Sequence, residues 1–200
     1  MLANLPAGSP VMHLVMCGGK DGSVYALDRD LLGGYGDSFA VQKIALGSSI
    51  FSTGAYWNDY YFVTGAGGPL TAFLLNTTVP QFNLAAKAPT SINWPGSTPS
   101  VSASATQNGI VWIMDNSQYC TNQSHGCGPT VLHAYYATNV ASELWNSSMV
   151  STDAAGNAVK FTVPTVANGK VYVGDRGNNT GGVNGSTTVS GQLDVYGLKP

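Results

Sequence analysis

Six oxygen-bearing side chains sit where strand-like runs meet turns: Asp21, Asp28, Asp115, Asn116, Asp153 and Asp175. Carboxylate and amide oxygens are hard donors, and several of them drawn together would suit a calcium ion. A cation so held polarises an ester carbonyl or activates a bound water, so hydrolysis of esters or lactones, such as acyl lactones, needs no serine nucleophile. The best metal set is Asp115, Asn116 and Asp175, and the catalytic candidates are Asp21, Asp115 and His133. Aspartate is also an ordinary turn residue, because its carboxylate bonds nearby backbone. That role alone accounts for most of these positions.

Other chemistry is thinly represented. No Gly-x-Ser-x-Gly pentapeptide occurs, and Ser48 and Ser49 after Gly47 lead into no helical pattern. A Ser-His-Asp assembly meets only in space and leaves no mark in sequence. His13 opens a strand-like run, His125 lies in a polar loop, and His133 alternates within Val131-Leu-His-Ala-Tyr135. His133 therefore faces either a packing interface or a central channel, and His-Glu-x-x-His spacing is absent. Cys17, inside the apolar run Met12–Cys17, reads as a buried small hydrophobe. Cys120 and Cys127 flank Thr-Asn-Gln-Ser-His-Gly. They suit a loop-stapling disulfide in an oxidising compartment, two free thiols, or a metal site with His125.

The elements that must position these groups repeat along the chain. Four segments share an apolar run, a glycine-bearing turn and a second apolar run: Leu14–Asp28, Tyr60–Leu74, Gly109–Asp115 resuming at Gly128–Tyr135, and Gly169–Gly174 resuming at Gly191–Gly197. The glycines of the second runs, Gly22, Gly68, Gly128 and Gly191, recur about every 45 to 60 residues. Each unit holds three to four short strand-like runs, which is the grammar of a β-propeller blade. Asn108-Gly109 and Asn168-Gly169 read as tight hairpin turns, with Asn58-Asp59 in the same slot, because these residues accept positive φ cheaply. The blades span approximately 8–47, 48–90, 96–148 and 157–200. The innermost strand of the first is undefined, the fourth begins at Val159-Lys-Phe-Thr-Val-Pro, and no strand follows Leu198. Insertions at 116–128 and 175–190 lengthen loops of blades three and four, the kind of place where function sits.

Composition narrows the class. Twenty-five glycines, ten prolines and only 9% charged residues favour many turns between short strands over solvated helices. A net charge of −2 without a basic stripe gives no footprint for nucleic acid. No apolar run is long enough to span a membrane as a helix, and the first residues have no signal-peptide pattern. The polar, low-charge surface still suits an exported protein, extracellular or periplasmic.

Gly22-Ser-Val-Tyr-Ala-Leu-Asp28 and Gly169-Lys-Val-Tyr-Val-Gly174 resemble the pyrroloquinoline-quinone-like repeat of β-propellers. Gly19–Gly22, Ala55–Asn58, Asn108–Trp112, Leu132–Tyr135 and Phe161–Gly174 are similar to the C-terminal part of uncharacterised exported propeller proteins of soil bacteria. Tyr136 departs from the repeat, which prefers Asp there. The resemblance implies an all-β propeller of about four blades with three to four antiparallel strands each. Such an array is either a small closed ring or a partial ring completed by self-association as a dimer. The resemblance does not extend to the quinone. Quinone-dependent dehydrogenases use an adjacent cysteine pair, which this chain lacks, and Trp57, Trp94, Trp112 and Trp145 are scattered, with Trp112 and Trp145 in strand positions that pack. Pyrroloquinoline quinone is therefore not expected. The expected function is a binding or scaffold propeller that takes a small-molecule or protein ligand at its top-face loops and channel mouth. The alternative is the calcium-dependent ester or lactone hydrolase.

Overall fold

A computed structural model describes residues 2–119, 127–177 and 191–197. Among these the chain is all-β, with one short 3-10 turn at Ser151–Asp153. Fifteen strands form four antiparallel meanders. The first sheet contains β1 (Leu2–Asn4), β2 (His13–Gly18), β3 (Ser23–Asp28) and β4 (Gln42–Ala45). The second holds β5 (Ala55–Trp57), β6 (Tyr60–Val63), β7 (Gly68–Asn76) and β8 (Gln81–Ile92). The third holds β9 (Ser100–Ser104), β10 (Gln107–Asp115), β11 (Val131–Tyr136) and β12 (Asn139–Asn146). The fourth holds β13 (Thr165–Ala167), β14 (Lys170–Asp175) and β15 (Gln192–Tyr196). These are propeller blades. No helix among the described residues is long and apolar enough to cross a membrane.

Strand alternation sends successive side chains to opposite faces, and here both faces of the middle sheets are buried. Tyr61 and Val63 of β6 pack on Leu14, Met16, Val24 and Ala26 of the first sheet. Phe62, between them, packs the other way, with Val111, Ile113 and Tyr135 of the third sheet. In β10, Val111 and Ile113 face the second sheet, whereas Met114 and the half-buried Trp112 face Val171 and Val173 of the fourth. The four sheets are therefore stacked in sequence order, each serving as wall for the next. Trp145 also lies in the last junction, edge-on to Tyr196 with centroids 5.6 Å apart.

The undefined innermost strand of the first blade is β1, which pairs with β2 through Ala3 opposite Leu14 and begins upstream of residue 8. Two local expectations are corrected. Cys17 is exposed, because Leu14 and Met16 take the buried face of β2 and Cys17 falls on the outward one. Asn108-Gly109 is not the turn of its hairpin. Ser104 pairs with Gln107 across Ala105 and Thr106, with Ala105 at φ 52°, and Asn108 at φ 55° sits in a break of register further on. The other two hairpins turn at the expected residues, Asn58-Asp59 (φ 46° and 65°) and Asn168-Gly169 (φ 49° and 70°).

Candidate ligand-binding face

Even-numbered strands of the first three sheets end on one side of the array, so the long connections to each next blade share that side with the central hairpin turns. Each such connection leads from an outermost strand to the next innermost one, and each carries an aromatic residue. Phe51 precedes β5, Trp94 precedes β9, and Phe161 precedes β13. Their rings meet. Phe51 and Trp94 lie 6.0 Å apart at 71°, and Trp94 and Phe161 lie 6.0 Å apart at 75°. Tyr119, from the loop after β10, approaches Trp94 to 5.4 Å. Trp94 remains 40% exposed and Phe161 56%, so the meeting rings leave apolar area open to solvent.

Backbone contacts fix each ring. The loop bearing Trp94 turns at Gly96 (φ 82°) and is held to both neighbouring sheets. The Thr64 hydroxyl accepts from Ser97 N at 2.7 Å, and Ser97 Oγ accepts from Met114 N at 2.9 Å. Phe161 has φ 65°, a conformation uncommon for a bulky side chain and costing about 1 to 3 kcal/mol. Next to it, Thr162 Oγ1 accepts from Asn116 Nδ2 at 3.1 Å and donates to the Val159 carbonyl at 3.1 Å. Near Phe51, Ser49 Oγ donates to the Lys20 carbonyl at 2.7 Å, and Ile50 N bonds Gly19 O at 3.2 Å.

Two lysines border the rings. Lys20 Nζ stands 5.5 Å from the Phe51 centroid, and Lys160 Nζ stands 5.2 Å from Trp94 and 4.7 Å from Tyr119. Both are exposed, and neither forms a salt bridge among the described residues. In a chain with only eight basic residues, two uncompensated ammonium groups on one aromatic patch give that patch a positive field.

The residues singled out from sequence are each engaged by local partners, and Asn116 is linked to Asp175 through Thr130 and Gly156. Asp21, in the β2–β3 turn, accepts from Tyr25 Oη at 2.6 Å and from Ser23 N at 3.2 Å, with Lys43 Nζ at 3.8 Å. The tyrosine hydrogen bond holds its carboxyl below the usual carboxylate value. Asp28 accepts from Asp30 N, and Asp115 from Ser117 N, both at 2.9 Å. Asp153 lends its carbonyl to Tyr196 Oη at 3.0 Å. Asn116 is buried, spanning Thr162 and Thr130, so it braces the loop that presents Phe161. His133 is buried on the side of β11 facing the second sheet, 2.6 Å from Glu143 Oε1 and stacked on Tyr135. Asp175 is buried and accepts from Gly177 N at 2.6 Å and Gly156 N at 3.1 Å. Gly156 N also donates to Asp194 at 3.3 Å, and burial together with the neighbouring Asp194 carboxyl raises the pKa of Asp175. Among the described residues, no three His, Cys, Asp or Glu side chains gather as a cation site.

Cys127 is disulfide-bonded, while Cys120 and His125 lie outside the described residues. A cleft of about 1180 Å³ opens between the third and fourth sheets, lined by Trp112, Trp145, Lys170, Asp194 and Tyr196 among others. The aromatic patch escaped the sequence reading because insertions shift Phe51, Trp94 and Phe161 out of any fixed period. The available signal was an aromatic residue shortly before each innermost strand.

No protein-family profile and no curated protein matches the chain. Among solved structures it is similar to BamB from Moraxella catarrhalis, with 13% identity over 86% of this chain and a TM-score of 0.33. The chain spans 57% of the length of that structure.

Proposed function

We propose that this chain is a propeller binding module of the pyrroloquinoline-quinone-like repeat type, whose recognition surface is the aromatic patch of Phe51, Trp94, Tyr119 and Phe161. The observation that carries this reading is convergence: three equivalent connections from successive blades deliver aromatic rings to one place, with Trp94 and Phe161 exposed. Loops held on a rigid scaffold are where binding residues concentrate. Exposed aromatics supply much contact area at small entropic cost. Hydrolysis by a calcium site has less to rest on, since among the described residues no three His, Cys, Asp or Glu side chains gather as a cation site.

The disulfide at Cys127 supports an extracellular or periplasmic setting, where such bonds persist. Association with a second copy is supported by the two ends of the stack. Leu193 and Val195, on the free face of the fourth sheet, are 62% and 49% exposed, and Val15, Tyr25 and Leu27 lie half-buried on the free face of the first. Together these faces are the two halves of the junction repeated inside the chain, so one copy's fourth sheet would abut the first sheet of the other.

The test of binding is a panel of soluble glycans, peptides and small organic acids, read by tryptophan fluorescence. At least one ligand changes the emission of the native chain and fails to do so in Trp94→Phe. A panel with no signal dependent on Trp94 overturns the reading.

A further inference from the structure

The patch has features that select among ligands. Its rings meet steeply inclined, at 71°, 57° and 75°, so these pairs form no slot between parallel plates for a flat aromatic molecule. Single exposed ring faces suit instead the C–H face of a pyranose, which stacks on one ring without needing a second behind it. Lys20 lies at the Phe51 end of the row, and Lys160 lies over Trp94 and Tyr119. Among the described residues, no acidic side chain enters the ring and lysine contacts of this patch, and the nearest carboxylate in sequence, Asp21, is engaged with Tyr25 and Lys43. A neutral sugar would leave both ammonium groups uncompensated, whereas a chain of uronic acid units offers carboxylates at intervals along an apolar ribbon of ring faces.

We infer that the patch of Phe51, Trp94, Tyr119 and Phe161, flanked by Lys20 and Lys160, binds acidic oligosaccharides whose pyranose rings carry carboxylates. This rests on the binding-module reading of the same site. The sugar face packs on Trp94 and Phe161, and the two lysines pair with carboxylates on units toward either end. Because the cations are exposed, the ionic part weakens with salt while the stacking part persists.

The experiment is isothermal titration calorimetry of the whole chain with sodium oligogalacturonate and with its fully methyl-esterified form. The acid form binds and the ester binds about tenfold more weakly or not at all, as expected when charge pairing adds to stacking. Trp94→Ala weakens the acid form about tenfold, and the Lys20→Gln/Lys160→Gln double variant about fivefold, with a shallower salt dependence. Equal affinity for acid and ester, unchanged affinity in the lysine double variant, or no heat with either ligand overturns the assignment. Should Trp94→Ala fail to fold, the lysine variant, altered only at exposed ammonium groups, still decides. A Trp94-dependent signal from another ligand class alongside silent oligogalacturonate removes the acidic-sugar assignment and leaves the binding-module reading standing.

Discussion

Trp57 donates its indole N–H to the carbonyl of Ala105 at 2.7 Å, tying the first hairpin of the second sheet to the first hairpin of the third. Its ring lies where a side chain on Gly109 would be: a Cβ there would come within 2.6 Å of two ring carbons and 2.8 Å of the Ala137 methyl. Gly109 is thus a seat for a neighbouring blade rather than a turn residue. Gly109→Ala is expected to destabilise the chain by about 1 to 3 kcal/mol, the usual cost of overpacking. Trp57→Phe, which keeps a ring and loses the hydrogen bond, costs about 1 kcal/mol. Urea denaturation of both variants checks the order, and a neutral Gly109→Ala would contradict the seat.

Phe62 is fully buried between the second and third sheets, and Leu193 is 62% exposed on the free face of the fourth. Phe62→Ala should cost about 3 to 5 kcal/mol. Leu193→Ser should leave the monomer within about 0.5 kcal/mol, as surface changes do. If two copies join end to end, native mass spectrometry of the unaltered chain shows twice the chain mass, and Leu193→Ser shifts the population to one. A single-chain mass for the unaltered protein excludes the pairing.

Asp175 gives stability a pH dependence whose sign follows from its neighbours. Its pKa is raised above the ordinary 3.8 by burial and by the nearby Asp194 carboxyl, so the folded chain holds this proton more tightly than the unfolded one. The stabilisation is full below the ordinary value and is lost as pH rises through the folded value. Asp175→Asn removes that loss. Relative to the native chain, the variant's melting temperature should gain between pH 4 and pH 7, and an unchanged difference across that range would refute the assignment.

The cysteines divide by accessibility. Cys17 is exposed and free, while Cys127 is disulfide-bonded. Iodoacetamide applied to the folded, unreduced protein should label the peptide containing Cys17. The peptide containing Cys127 should take label only after a reductant. Peptide mass spectrometry reads both, and labelling of Cys127 without reductant would show that the bond is not formed.

The blade grammar was legible because both faces of each middle sheet are buried, which leaves apolar runs such as Tyr60–Val63 and Ile110–Met114 between turns. The Asn58-Asp59 and Asn168-Gly169 turns were legible because their positive φ values select those residues. Asn108-Gly109 carries the same signature for another reason, since Asn108 takes the positive φ of a register break and Gly109 makes room for Trp57. That distinction depends on a residue far along the chain. The start of the fourth blade was placed at Val159, yet the β13 ladder begins at Thr165, and Phe161 takes a positive φ in the connection before it. The aromatic patch was invisible for a related reason: loops of unequal length bring its members together, and only the stacking of blades makes them neighbours.

The three junctions of the stack are unequal. Thirteen buried residues join the first and second sheets, eleven join the second and third, and four join the third and fourth, all among the described residues. A linear array whose units touch only their neighbours comes apart at its weakest seam. The fourth sheet should therefore fray first, with the strands around Tyr61 and Phe62 as the last to let go. Phe161 belongs to the segment that leads into that sheet, so loosening the seam would withdraw one ring while Phe51 and Trp94 stay in place. A tug on this end of the chain would then act as a release for whatever the rings hold.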